Sequence, residues 1–176
     1  MSQPQSPLPS AELIMTCERP TGSVGTRDMD GAAEDGAACA ALFAGERNDL
    51  ADREPRWNDL HSAIAATVGR AVSVRRMRVV SEPGTGYFRF EHACTAQNLA
   101  AGEKVRWLTR RRARGLLFPA SDPWTFDDRL VRYSIFSGPG AFVEDLLGED
   151  PATVKSYADA CGLIWKRATP HDEFTV

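Results

Sequence analysis

The stretch VSVRRMRVVSEPGTGYFRFEHACTAQNLAAGEKVRWL, residues 72–108, decides the fold. Val72–Val80 is rich in β-branched residues and bounded by turn formers, which predicts a strand. Ser81–Gly86 (SEPGTG) predicts a turn. Tyr87–Ala101 reads as a helix stopped by Gly102, although YFRF alone also suits a strand. Lys104–Leu108 (KVRWL) predicts a second strand. Strand, helix and strand in this span make a β-α-β unit, about the length a right-handed crossover needs.

Downstream, Trp124–Asp127 and Leu130–Phe136 flank Asp127–Arg129, a predicted tight hairpin. Ser137–Gly140 (SGPG) predicts a turn, and Ala141–Leu147 one more strand. Asp150-Pro151 is a helix start, with Asp as N-cap and Pro in the first turn. Val154, Tyr157, Cys161, Ile164 and Ala168 then follow at helical spacing, before Pro170. Upstream, Trp57, Leu60, Ile64 and Val68 mark a helix ending near Gly69. Ala37–Ala44 reads as a short helix and Asn48–Arg56 as a polar connector. Residues 20–36 read as loop, and the Pro/Ser/Gln-rich residues 1–10 as a disordered tail. The expected organisation is an irregular segment over 1–36 and one globular domain over 37–176. The expected fold class is α/β or α+β: a mixed sheet of about five strands with the C-terminal helix packed on it.

The composition excludes several classes. The chain has 176 residues, 43% hydrophobic and 26% charged, as ordinary globular proteins do. No apolar run approaches the roughly 18 residues of a membrane span. No secretory leader is evident, so the expected compartment is the cytoplasm. The cysteines, Cys17, Cys39, Cys94 and Cys161, match no zinc spacing and read as buried reduced thiols. The expectation is no metal and no cofactor.

Charge is segregated. Residues 1–69 carry 5 basic and 11 acidic side chains, residues 70–114 carry 11 and 3, and residues 115–176 carry 5 and 10. The basic middle either meets a polyanion or folds against its acidic flanks. Thr109–Gly115 (TRRRARG) concentrates Arg110, Arg111, Arg112 and Arg114, whose guanidinium forks suit phosphate oxygens. The alternative is a solvated basic loop. Ser81–Gly86, between a strand and a helix N-terminus, offers N–H groups to an anion or is a plain crossover turn. Asp122, Asp127 and Asp128 surround Trp124. Paired carboxylates serve acid–base chemistry, whereas Asp127-Asp128 also suits a hairpin turn. His61, His92 and His171 are scattered, and His171 sits in a loop between Pro170 and Asp172.

The motifs RVVSEP, Y-x-R-x-E, N-x-x-A-G-E, D-x-W-x-F-D-D and the closing W-x-x-A-x-P resemble an actinobacterial domain family of unknown function over roughly residues 37–174. The resemblance implies a small cytoplasmic protein, often encoded beside helix-turn-helix regulators or in specialised-metabolism clusters. Pro123 departs from its pattern, where Phe or a similar residue is usual, and the N-terminal third matches poorly. The strand-helix-strand-hairpin order also resembles a phospholipase-D-like half-domain. There an H-x-K precedes the hairpin Asp: a histidine nucleophile for phosphorus and a lysine to neutralise charge. Counting back from Asp128 puts Ser121 and Pro123 at those positions, and neither does that chemistry. A half-domain of this type implies a homodimer.

These observations favour a non-catalytic binding or regulatory module over an enzyme. Its partner is a helix-turn-helix regulator or a small anionic ligand. The candidate surface is Arg78, Arg89 and Arg132 holding the anion, Trp124 stacking, and Glu91, Asp122 and Asp127 orienting the arginines. The first alternative is an enzyme with Asp122 or Glu91 as base and His171 as acid. The second is direct nucleic-acid binding through Arg110–Arg114.

Overall fold

The computed structural model describes residues 9–27, 57–138 and 141–176. Residues 1–8 of the tail expected over 1–10, the Ala37–Ala44 helix, the Asn48–Arg56 connector and part of the Ser137–Gly140 turn lie outside them, and Ser10, expected in that tail, opens a helix instead. In chain order the elements are α1 (Ser10–Met15), β1 (Thr21–Gly25), α2 (Asp59–Gly69), β2 (Val74–Val80), α3 (Gly86–Ala100) and β3 (Lys104–Thr109). They continue as α4 (Arg110–Ala113), β4 (Asp122–Phe126), β5 (Leu130–Phe136), β6 (Phe142–Gly148), α5 (Pro151–Arg167) and β7 (Thr169–Pro170). A single 3-10 turn, His171–Glu173, follows.

One open mixed sheet has the order β6-β5-β4-β1-β2-β3-β7. β1, β2 and β3 run parallel, and the remaining neighbours pair antiparallel. The expected β-α-β unit is present, with β2 and β3 adjacent and parallel on one side of β1, the central strand. The sheet has seven strands rather than about five. One of the two extra strands, β1, falls inside the stretch read as loop, between β2 and β4. Its sequence TGSVG has one large apolar residue, so alternation gives no signal. The small residues are there because the centre is crowded: a Cβ on Gly22 would meet the Arg75 carbonyl at 3.0 Å. The other, β7, is two residues long.

The period of two divides the sheet into two faces. On one, Val74, Trp124, Phe126 and Leu130 pack against α1 and α2 through Leu13, Ile14 and Ile64. Further along that face, Val80, Val105 and Trp107 pack under Phe88 of α3. On the other, Val24, Met77, Val79 and Leu108 pack against Cys161 and Ile164 of α5. Asp150 caps α5 by accepting from the Thr153 amide at 2.8 Å, as the sequence suggests. The β4–β5 hairpin turns on Asp127 and Asp128, with φ of 53° and 56°. Two residues of positive φ make the turn that matches strand twist, and Asp tolerates it better than most side chains.

Candidate functional site

The carboxyl ends of β1 and β2 and the start of β4 meet at one end of the sheet. An open groove of about 360 Å³ lies there, lined by Thr26, Arg27, Ser121, Asp122, Ser134 and Phe136 among others. Strand ends of this kind are where α/β sheets bind ligands. Asp122 sits at its wall. Its Oδ1 accepts from the Thr26 amide at 3.0 Å and from the Thr26 hydroxyl at 2.9 Å. Its Oδ2 accepts from Arg27 Nε at 3.2 Å. The Arg27 guanidinium also lies over the Phe136 ring, 3.7 Å from its centroid. One backbone N–H, one hydroxyl and one guanidinium thus converge on a single carboxylate.

Arg78 lies behind this cradle. A Cβ on Gly25 would meet Arg78 Nη1 at 3.0 Å, so glycine at the end of β1 makes room for the guanidinium. Arg78 Nη2 pairs with Glu91 Oε1 at 2.6 Å, and the Tyr87 hydroxyl donates to the same oxygen at 2.7 Å. Burial works against the Arg78 cation, but Glu91, Tyr87, Asp122 and Glu103 more than offset it and hold its pKa above the ordinary value. Burial, with Glu91 second, raises the Tyr87 phenol, so it stays protonated as the donor. Arg110 closes the rim, donating through Nε to Ser81 Oγ at 3.0 Å and through Nη2 to the Thr26 carbonyl.

The other expected surface residues are elsewhere. Trp124 does not face a ligand; it is 9% exposed, stacked with Phe126 in the core under α1 and α2. Its period-two position on β4 puts it on the packed face. Arg89 is exposed on α3, two residues from both Tyr87 and Glu91 and so turned away from them. Asp127 anchors the segment after α1, accepting from the Glu18 and Arg19 amides at 2.9 and 2.8 Å. Arg132 pairs with Asp145 and donates to Ser10 Oγ at 2.5 Å, outside the groove lining. The loop Ser81–Gly86 already uses its own side chains at the start of α3. Thr85 caps α3 from within by accepting from the Phe88 amide at 3.1 Å, and a Cβ on Gly84 would strike the Phe88 ring at 2.4 Å. Glycine is there for packing.

Asp122 and His171 do not converge. They line different cavities, and β1, β2 and β3 lie between β4 and β7. Four interstrand steps of about 4.8 Å put them roughly 19 Å apart. At that separation Asp122 and His171 do not act as one acid–base pair. His171 Nδ1 instead accepts from Trp107 Nε1 at 3.0 Å, and its ring stacks on His92 with centroids 4.3 Å apart. Burial chiefly lowers the pKa of both imidazoles, and His171 lowers that of His92 further. Asp172 partly opposes this at His171. Each histidine is thus held neutral in the folded state, with its folded value below the ordinary 6.5. Their stabilisation is complete above that value and is lost as pH falls below it, when the unfolded chain binds more protons. Urea midpoints should therefore drop between neutral and mildly acidic pH. The drop should flatten in His92→Phe; an unchanged pH slope in that variant would contradict the coupling.

The arginine run is split by its partners. Arg110 serves the groove rim, and Arg112 donates to the Thr169 hydroxyl at 2.6 Å and the Arg167 carbonyl at 3.0 Å. Arg111 and Arg114 are exposed. Burial pushes the Cys17 and Cys161 thiols up to about 11, which makes them packing residues rather than nucleophiles. His61 caps its own helix, its Nδ1 accepting from the Asn58 amide at 3.3 Å. Among the described residues no three His, Cys, Asp or Glu side chains gather as a metal site requires. No described helix is long and apolar enough to cross a membrane.

Sequence reasoning missed Thr26 and Arg27, which follow a strand read as loop. It also missed a buried ion pair. Glu103 accepts from Arg76 Nε at 3.0 and 3.1 Å and from Asn98 Nδ2 at 2.6 Å. The alternating arginines of β2 were the available signal, since two of them, Arg76 and Arg78, point to one face.

No curated protein matches the sequence. Among solved structures, the chain is similar to Nuc, a phospholipase D family member from Salmonella typhimurium. The TM-score is 0.51 at 11% identity, over 91% of this chain and 86% of that one. At that identity the likeness concerns the fold. Ser121 and Pro123, the positions reached by the H-x-K count in the sequence, lie in the groove wall and buried in β4. A family model matches residues 12–176, so the N-terminal third belongs to the match as well, including β1. The chain is therefore a member of the family described as Domain of unknown function (DUF6879).

Proposed function

We propose that the chain is a binding module whose groove takes the acid group of a small anionic ligand. The observation that carries this reading is the occupied cradle. The Thr26 amide, the Thr26 hydroxyl and the Arg27 guanidinium form a donor set suited to a carboxylate or phosphate, and Asp122 of the chain itself fills it. A ligand's acid group replaces Asp122 on these donors, with the Arg78 cation behind them and Phe136 beside Arg27. The module binds without turnover. Its ligand state is read by a helix-turn-helix partner in the cytoplasm, a role supported by the sequence resemblance.

The exchange gives an unusual prediction. Asp122→Asn removes the competing charge while keeping an oxygen for Thr26, so calorimetric affinity for inorganic phosphate or glycerol 3-phosphate should rise. Arg27→Ala should lower it about tenfold or more, since a hydrogen bond to a charged group contributes roughly 1.5–3 kcal/mol. Equal affinity in wild type and both variants would end the reading.

A further inference from the structure

We propose that the corner where α4 meets the end of α5 is a second site, a contact surface for the phosphodiester backbone of duplex nucleic acid. Four cations face outward there: Arg111 and Arg114 from α4 and its C-cap, and Lys166 and Arg167 from the last turn of α5. The two elements are tied together. Arg112 donates to the Arg167 carbonyl at 3.0 Å, and Arg167 Nη1 donates back to the Arg114 carbonyl at 3.1 Å. Ala113 is buried beneath them in the core cluster of α5. The cations therefore stand on a fixed platform rather than a loose loop, which lowers the ordering cost of binding.

The chemistry favours phosphates over bases. Arg114 and Arg111 present planar forks that match phosphate oxygens. Among the described residues no neighbouring aromatic ring is offered for stacking: Phe118 packs against the core cluster beside Leu116, and Trp165 lies against Arg75 and Arg106. A surface of cations without a stacking platform reads the backbone of a duplex, not splayed single strands. Asp172 and Glu173 of the 3-10 turn follow α5 and β7 in the chain, and they limit the affinity. Leu117, 91% exposed, and Leu163, one turn before Lys166 and Arg167 on α5, are the features here that suit a lipid surface instead.

The sequence alone pointed to Arg110–Arg114 as one run. The structure divides that run: Arg110 and Arg112 are tied through two side-chain hydrogen bonds each, whereas Arg111 and Arg114 stand beside Lys166 and Arg167, and Arg167 spends only Nη1 on the Arg114 carbonyl. The test is anisotropy of a short labelled DNA duplex with the full chain, across a salt series from about 25 to 200 mM. Four phosphate contacts predict a slope of about −3.6 in log K against log salt. Arg111→Ala with Arg114→Ala should reduce that slope by about 2 and weaken binding at low salt by about tenfold or more. Lys155→Ala, on the far end of α5, should leave both unchanged, and circular dichroism checks that each variant folds. Three results overturn the proposal. They are no duplex binding at low salt, an unaltered slope in the double variant, and binding to anionic phosphatidylglycerol vesicles in place of the duplex.

Discussion

Glu103→Ala should destabilise the fold by about 3–5 kcal/mol, the range for breaking a buried ion pair on one side. The Glu103 side chain is 0% exposed, and it is the carboxylate partner of Arg76 Nε. Arg76 Nη2 is also buried and has no hydrogen-bond partner among the described residues, so the guanidinium depends heavily on that carboxylate. Removing it leaves a cation on the inner face of β2, 5.2 Å from the Trp124 ring centroid. Asn98 loses its acceptor in the same step. Against a typical total stability of about 5–15 kcal/mol, the loss is large. Urea unfolding reads it as a lower midpoint. Replacing both partners should recover much of it: Arg76→Met with Glu103→Leu should be more stable than Glu103→Ala alone. A single variant within about 1 kcal/mol of wild type would mean that the pair carries no structural weight.

Trp107→Ala should cost about 3–5 kcal/mol, as large-to-small changes of a buried aromatic do. Trp107 is fully buried in β3 and packs with Phe88 at 5.3 Å and Phe174 at 5.9 Å between ring centroids. It is also the donor that fixes His171. The C-terminal segment after α5 is held by this ring and by β7, which pairs only at Arg106 and Trp107. The variant should therefore lose amide-exchange protection at β7 and the 3-10 turn before the rest of the sheet. Trp107→Phe keeps most of the ring but not the indole N–H. It should cost less, with the His171 acceptor left unpaired at roughly 1–3 kcal/mol. If Trp107→Ala unfolds in urea like wild type, the aromatic cluster is not what seats the C-terminus.

These two residues show what a sequence conveys and what it hides. The strand Lys104–Leu108 was legible because its apolar residues and flanking glycine are local signals. So was α5, from Asp150-Pro151, and the hairpin, from Asp127-Asp128. β1 was not, because TGSVG is shaped by crowding against β2 rather than by hydrophobic alternation. The site was legible only in part. Arg78, Glu91 and Asp122 were named, but the partners that give Asp122 its meaning, Thr26 and Arg27, are 96 and 95 residues away. No local pattern encodes a contact across that separation. Trp124 was misjudged for the converse reason. Flanking aspartates suggested recognition, while its place in β4 turned it into the core.

The anion cradle lies at the end of β1 and the start of β4. The most direct test follows backbone amide resonances while inorganic phosphate is titrated into the wild-type chain. Saturating shifts are expected at Thr26, Arg27, Ser121 and Asp122, with the largest at Thr26, whose N–H is a cradle donor. Shifts that rise linearly without saturation, or that are confined to Arg111–Arg114, would contradict it.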